Sequence, residues 1–458
     1  MTVHLEYRLS PLNSVDLFWF IGGREGVASM PEAESLAPAL SLKARPIDRA
    51  TRPYYAVWEL TLRCNLACHH CSSRAGRART DELSKDEALD LVAQLGELGV
   101  QEITLIGGEA YLRADWLEVI RAVRARGIRC TMVTGGRAFT AEHAITAREA
   151  GLQSVSVSVD GLEQAHDALR GFRGSFQNAL QAMSHARNAG LQVTANTQIG
   201  RANLRDIPTL LEQLIEAGIA AWQPQITVPM GRAADNPALI LEPYQMLEVI
   251  PMLARLKRRC DKASVVFWPG NNIGYFGPHE AELRDSLPAC HRGPCGAGRA
   301  ALGIESTGNI KGCPSLPSAE YVGGNVREHS LLDIWERSPR VGFMRERSVA
   351  DLWGHCRGCY YAADCLEGCS WTAHSIMGRP GNNPYCHHRA LTLLRTGRRE
   401  RMVRRTPPPG LSFDLGAWDL IEEDWPPLEL TRARAVARGE ETWLLDSDGQ
   451  PLSKGERA

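Results

Sequence analysis

Four things are missing from this chain of 458 residues. It has no run of about 18 apolar residues, so no membrane-spanning helix is expected. It has no excess of either charge, the formal net charge being −1, so no global field suggests a nucleic-acid partner. Its amino terminus, "MTVHLEYRLSPLNSVDLFWF", carries Glu6 and lacks an apolar core followed by a small-residue cleavage site, so no secretory signal is read there and a cytoplasmic location is expected. Finally, its 13 cysteines are an odd number with no disulfide-like spacing. In a reducing compartment, clustered thiols read as ligands of a metal or a cluster rather than as disulfides.

What is present has a rhythm. From about Tyr54, short β-branched runs alternate with amphipathic segments that end in glycine. "YYAVWELTL" (54–62) predicts a strand. "SKDEALDLVAQLGELG" (84–99) predicts a helix with Ser84 as N-cap, Glu87 at the capping-box position and Gly99 at the stop. The pattern repeats to about residue 230, giving six strands with helices between them. Repeated βα units imply right-handed crossovers and a parallel sheet, either a partial barrel or a doubly wound sheet. A cysteine-dense region follows, holding eight of the 13 between 290 and 386. Such a segment, with little core of its own, suggests a metal-stapled domain. The expected boundaries are an extension at 1–50, a barrel at 51–280, a cysteine-rich domain at 281–390 and a tail at 391–458. The tail sets a basic stretch, "RTGRRERMVRRTPPP", before the acidic "DLIEEDWPPLEL", and reads as loosely folded or as an arm packing back on the body.

Cys64, Cys68 and Cys71 stand within eight positions just after the first predicted strand, where βα architectures build their active sites. Three thiolates leave one iron of a four-iron cluster without a protein ligand, and that iron can bind a small molecule through N and O donors. The alternative at this loop is a zinc knuckle completed by His69 or His70. Downstream, "IGGEA" ends the second strand with Gly107, Gly108 and Glu109, two residues without side chains and a carboxylate able to accept from an ammonium. "VSVSVDG" ends the fourth, and alternation puts Ser156, Ser158 and Asp160 on one side.

The CxxxCxxC loop in this setting resembles the signature of the radical S-adenosylmethionine (radical SAM) enzymes. The resemblance implies an α/β fold with a partial (β/α)6 TIM-like barrel over about 54–235. It implies a 4Fe-4S cluster on Cys64, Cys68 and Cys71 that binds S-adenosylmethionine and cleaves it reductively to a 5′-deoxyadenosyl radical, which abstracts hydrogen. It further implies contacts to S-adenosylmethionine from Gly107, Gly108 and Glu109, from Ser158, and from a basic residue in "HDALRGFRG", Arg170 being favoured over Arg173. This sequence departs from the family's habit at three places. Ala110 replaces a proline after the GGE motif. "VTGG" (133–136) stands where an asparagine often precedes glycine. His70 precedes the last cysteine, where an aromatic is common.

The second cysteine field, Cys295…Gly308…Cys313, then Cys356, Cys359, Cys365 and Cys369, then Cys386, resembles the SPASM extension of radical SAM proteins, with Cys290 as an eighth thiol. By the family's interleaved pattern, Cys290, Cys295, Cys313 and Cys369 would hold one auxiliary 4Fe-4S cluster and Cys356, Cys359, Cys365 and Cys386 a second. Two structural zincs are the alternative on local chemistry. Cys130 and Cys260 fit neither pattern and read as ordinary thiols. The resemblance implies a precursor peptide or protein as substrate, modified by crosslinking or oxidation, and a low-potential electron donor of flavodoxin or ferredoxin type. Pro314 stands where sulfatase-maturing enzymes carry an acidic residue, which argues against that chemistry. A leader-binding domain of winged-helix type is not expected in the first fifty residues. Haem or other cofactor synthesis is the second expectation, and a non-catalytic iron–sulfur carrier or scaffold the third.

Overall fold

The computed structural model describes residues 40–287 and 289–444, so most of the expected N-terminal extension and the last residues of the tail lie outside the described residues. All six predicted strands form: β1 (Tyr55–Thr61), β2 (Glu102–Gly107), β3 (Arg129–Thr134), β4 (Ser154–Ser158), β5 (Gln192–Ile199) and β6 (Ala221–Ile226). The helix Lys85–Leu98 starts and stops as its sequence dictates. Glu87 donates its amide to the Ser84 hydroxyl at 3.3 Å, the Ser84 amide donates to the Glu87 carboxylate at 2.7 Å, and Gly99 ends the helix at φ 91°.

Strands β1 to β6 lie side by side in chain order, each parallel to the next. A doubly wound sheet reverses its order at a switch point, and this one does not. With right-handed crossovers throughout, consecutive order puts every helix on one face, which is the winding of a barrel. The sequence pattern follows from it. One face of the strands, including Ala56, Trp58, Leu60, Ile103, Leu105, Met132, Val155, Val157 and Trp222, is buried in the main apolar core. Cys130 and Cys260 belong to that core, both fully buried. The other face is half-buried in β4 to β6 and carries Ser156, Ser158, Thr194, Asn196, Gln198, Gln223 and Gln225.

The sheet runs across the boundary expected at 280. A short strand β7 (Val266–Phe267) continues past β6, while β8 (Ala301–Ile304) pairs parallel to β1 and carries β9 (Asn309–Lys311) and β10 (Val322–Asn325) antiparallel beyond it. The cysteine-rich region thus begins as an extension of the barrel sheet. The order β10-β9-β8-β1-β2-β3-β4-β5-β6-β7 leaves β7 and β10 as its two ends.

Of the two readings of the tail, the packed arm is the one that forms. Its basic and acidic stretches are the strands β11 (Arg398–Thr406) and β12 (Ala417–Asp424) of an antiparallel hairpin. Charge complementarity sets the pairing: Arg399 and Arg401 both meet Glu423 at 2.8 Å, and Arg398 meets Asp424 at 2.7 Å. Trp418 and Trp425 join the main core, and the Met402 amide donates to Glu242 at 2.8 Å.

A candidate iron–sulfur and S-adenosylmethionine site

The loop after β1 is a string of backbone carbonyls held from outside. The Cys68 carbonyl accepts from the Arg232 guanidinium at 3.0 Å, the Cys71 carbonyl from the Arg232 amide at 3.0 Å, and the Ser72 carbonyl from the Phe413 amide at 3.1 Å. Inside the loop, the Cys64 amide donates to the Gly76 carbonyl at 2.9 Å. This leaves the three thiols on one side, close enough that Cys68 and Cys71 each act electrostatically on Cys64. Burial pushes the Cys64 thiol up to about 12 and raises that of Cys68 as well. Reactive nucleophilic cysteines show the opposite shift. Burial thus favours the neutral thiol at Cys64 and Cys68, and a cationic centre is what would deprotonate them. Among the described residues, no group of three or more His, Cys, Asp or Glu is drawn together closely enough for a single metal ion. Three thiolates from one loop are a donor set that a four-iron cluster with one open iron accepts.

The glycines of "IGGEA" have a specific use. A Cβ on Gly107 would sit 2.1 Å from the Thr61 carbonyl oxygen, and one on Gly108 would sit 2.1 Å from that of Arg63 and 2.8 Å from the Cys64 side chain. Their bareness lets β2 close on the start of the cysteine loop. Gly231, at φ 58°, serves the other end of the loop, with the Cys71 and Ser72 carbonyls within 2.5 Å of its absent Cβ.

Glu109 follows, buried, with Thr134 donating its hydroxyl at 2.5 Å and Gly135 its amide at 2.7 Å. Thr134 thus does orienting work where an asparagine is usual in the resembled family. Burial pushes the Glu109 carboxyl up to about 7. A ligand ammonium would bring it down, which is the response a cation-binding carboxylate should have. Arg170 lies on the same pocket. Its guanidinium is 2.5 Å from Asp160 and donates to the Cys68 sulfur at 3.7 Å, and Glu109 acts on its charge. Asp160, fully buried, also meets His70 at 3.0 Å. Burial alone would raise the Asp160 carboxyl, but Arg170 and then His70 hold it well below the usual carboxylate range. Ser158 lies half-buried on the face shared with Ser156, whose buried hydroxyl has no partner. Arg173 is exposed. His69 is exposed too, its amide held by the Leu169 carbonyl, while His70 turns inward to Asp160.

The second field divides into two groups. Cys295, Cys313 and Cys369 act on one another, with Ala297, Met344 and Phe343 packed around Cys295 and Cys313. Cys356, Cys359, Cys365 and Cys386 form the other group, with Cys356 and Cys359 against Leu352, Ala362 and Leu366. Cys369 therefore sides with residues more than fifty positions upstream rather than with Cys365. Burial pushes the thiols of Cys313 and Cys386 up to about 12, the same neutral state as in the first loop. Backbone amides reach sulfurs of both groups; in the second group, that of Tyr361 donates to Cys359 and that of Asn383 to Cys356, each at 3.4 Å. Cys290 is exposed and belongs to neither group as it stands. Sequence reasoning missed Arg232, Phe413 and Asp414, and assigned no role to Thr134 although "VTGG" had been singled out for its departure from the family's habit.

The profile of the Radical SAM superfamily matches residues 58–214, and that of the SPASM iron–sulfur cluster-binding domain matches 295–360. The AdoMet-dependent heme synthase of Nitratidesulfovibrio vulgaris is 30% identical over 72% of this chain and 91% of its own length. The PqqA peptide cyclase of Rhizobium meliloti is 26% identical over 75% of this chain and 89% of its own. In fold, the crystal structure of Streptococcus suis SuiB bound to S-adenosylmethionine aligns with a TM-score of 0.58 at 18% identity, covering 73% of this chain and 76% of that one. The first match takes in the three-thiol loop and Glu109, the second takes in Cys295, Cys313, Cys356 and Cys359, and the chain belongs to the radical SAM superfamily as an enzyme with a SPASM iron–sulfur domain.

Proposed function

We propose that this enzyme modifies a ribosomally made peptide or protein, forming a crosslink or an oxidised residue. Cys64, Cys68 and Cys71 would hold the S-adenosylmethionine-binding 4Fe-4S cluster. Cys295, Cys313 and Cys369 would hold one auxiliary cluster, with Cys290 as its fourth ligand after a local movement, and Cys356, Cys359, Cys365 and Cys386 a second. When bound and reduced by a low-potential donor, the first cluster supplies reductive cleavage of the sulfonium and a hydrogen-abstracting radical. The chain's own residues bind and orient. Glu109 offers its carboxylate to the amino group of S-adenosylmethionine, and Ser158 and Arg170 line the same pocket. Two auxiliary clusters ligated wholly by protein suit electron transfer rather than substrate binding.

The observation that supports a peptide is the half-buried face of the barrel. Asn196, Gln198, Gln223 and Gln225 form a row of side-chain amides there, Gln225 donating to Gln223 at 3.1 Å. Amides pair with the main chain of a peptide through both donor and acceptor. A porphyrin macrocycle presents a broad apolar face, which such a row would leave with unsatisfied polar groups. Tetrapyrrole chemistry is the second reading, favoured by the 30% identity to a heme synthase over nearly all of that protein.

The test is anaerobic reconstitution with iron and sulfide, then incubation with S-adenosylmethionine, reductant and either a short peptide encoded beside the gene or an iron coproporphyrin. The expected outcome is 5′-deoxyadenosine formed in step with a peptide that has lost hydrogen by mass spectrometry. Turnover of the porphyrin with the peptide unchanged would overturn the peptide reading.

A further inference from the structure

The segment joining β11 to β12 lies outside both profile matches, yet it touches the cysteine loop. Asp414 joins that segment to the loop through Arg74 and to the turn after β6 through Gly231. One carboxylate oxygen accepts from the Arg74 guanidinium at 2.8 Å, and the other accepts from the amides of Gly410 at 2.5 Å and Leu411 at 2.8 Å. Its carbonyl accepts from the Gly231 amide at 2.9 Å. Arg74, three residues past Cys71, also reaches Asp235, which takes its other two nitrogens at 2.7 Å each, and the Gly231 carbonyl at 3.1 Å. Next to Asp414, the Phe413 amide donates to the Ser72 carbonyl at 3.1 Å. Both Arg74 and Phe413 stand in the left-handed region, at φ 51° and 57°, a conformation that non-glycine residues keep only where their surroundings impose it.

The Phe413 ring adds a second link. It packs on Val228 and Met230, just past the end of β6, and the Lys311 ammonium on β9 lies 4.1 Å from its centroid. Strands β6 and β9 are each one place in from opposite ends of the sheet. One aromatic ring therefore ties the two ends of an unclosed barrel together, directly beside the loop that carries the three thiols.

We propose that residues 407–416 are part of the catalytic site: a strap in which Asp414 is a positioning residue, clamping the Cys64–Cys71 loop through Arg74 while Phe413 closes the seam between the ends of the sheet. The proposal rests on assigning Cys64, Cys68 and Cys71 to the S-adenosylmethionine-binding cluster and is independent of the substrate. Asp414→Asn is the informative change, because the amide oxygen still accepts from the strap's own backbone while the ion pair with Arg74 is lost. Asp419, on the same hairpin and 3.5 Å from Arg405, is the control.

The test uses the full-length, reconstituted enzyme and two readouts: hydrogen–deuterium exchange of the stretch 64–76, and electron paramagnetic resonance of the reduced protein with and without S-adenosylmethionine. For Asp414→Asn, exchange over 64–76 is expected to quicken about tenfold or more, the scale of one charge-assisted hydrogen bond. The change that S-adenosylmethionine causes in the first cluster's signal should weaken, with auxiliary signals intact. Asp414→Glu should restore part of both, and Asp419→Asn should match the parent. Parental exchange and a parental response in Asp414→Asn would overturn the strap. So would auxiliary signals falling in proportion with the first, which would make it a general loss of fold. If Cys68→Ala keeps an S-adenosylmethionine-sensitive signal, the cluster assignment fails instead, and the two failures are distinguishable.

Discussion

The chain carries two cysteine regions built on opposite plans. The first gathers three thiols from eight consecutive residues, with a buried carboxylate, Glu109, acting on Cys64 and a buried guanidinium, Arg170, on Cys68. The second gathers seven described thiols from distant chain positions and walls them with Met344, Phe343, Leu352 and Leu366. A local loop with charged neighbours has ligand positions to spare for a small molecule. An interleaved set with apolar walls spends its thiols on holding the fold. Removing a thiol should therefore cost chemistry in one region and structure in the other.

The sharpest break of that contrast is Cys68→Ala. S-adenosylmethionine cleavage is expected to fall to background, with the auxiliary clusters still assembled. Measuring 5′-deoxyadenosine and iron on one preparation decides it, and cleavage at the parental rate would contradict the first half of the comparison. Cys365→Ala comes next, with iron content and soluble yield expected to fall together. Normal values of both would mean that the second region is not a staple. Cys290→Ala should lose less iron than Cys365→Ala, since three buried thiols remain grouped without it.

Asp160→Asn sharpens the comparison from the charge side. It leaves Arg170 buried opposite a neutral amide, and breaking a buried pair this way costs on the order of 3–5 kcal/mol. The thermal midpoint should drop by several degrees while the auxiliary clusters keep their spectra, and an unchanged midpoint would show that Arg170 finds compensation elsewhere. The smallest effect is a pH dependence of the first region. His166, fully buried, has its ring pushed down to about 4, chiefly by burial. Between about 6.5 and 4 the unfolded chain binds a proton there that the folded chain refuses, so stability falls as pH falls through that window. The contribution is on the order of 1–3 kcal/mol. His166→Gln should flatten stability over this range in pH-resolved melting, and an unchanged slope would rule the residue out as its source.

The barrel strands were legible because each is a β-branched run ending at a turn, and the thiol loop because its spacing is rigid. Glu109 was legible from the two glycines before it, which also let β2 close on the start of the cysteine loop. Asp160 showed in the alternation of β4, but its partners did not. Pairing with His70 and Arg170 needs the loop, the strand and the helix Glu163–Arg170 folded together. The hairpin hid its register until two stretches of opposite charge were set side by side. Asp414 and Phe413 carried no local signal at all, since what makes them matter is contact with a loop more than three hundred positions away.

That distance has a consequence for biosynthesis. Arg74 and Asp414 are separated by 340 residues. At ribosomal rates of about 5–20 residues per second, their meeting comes roughly 17–68 s after the arginine is made. Throughout that interval the nascent polypeptide presents three thiols without their outer brace, so iron delivered during translation would find the loop half-built. A centre assembled there would have its loop braced only once the hairpin has returned to it.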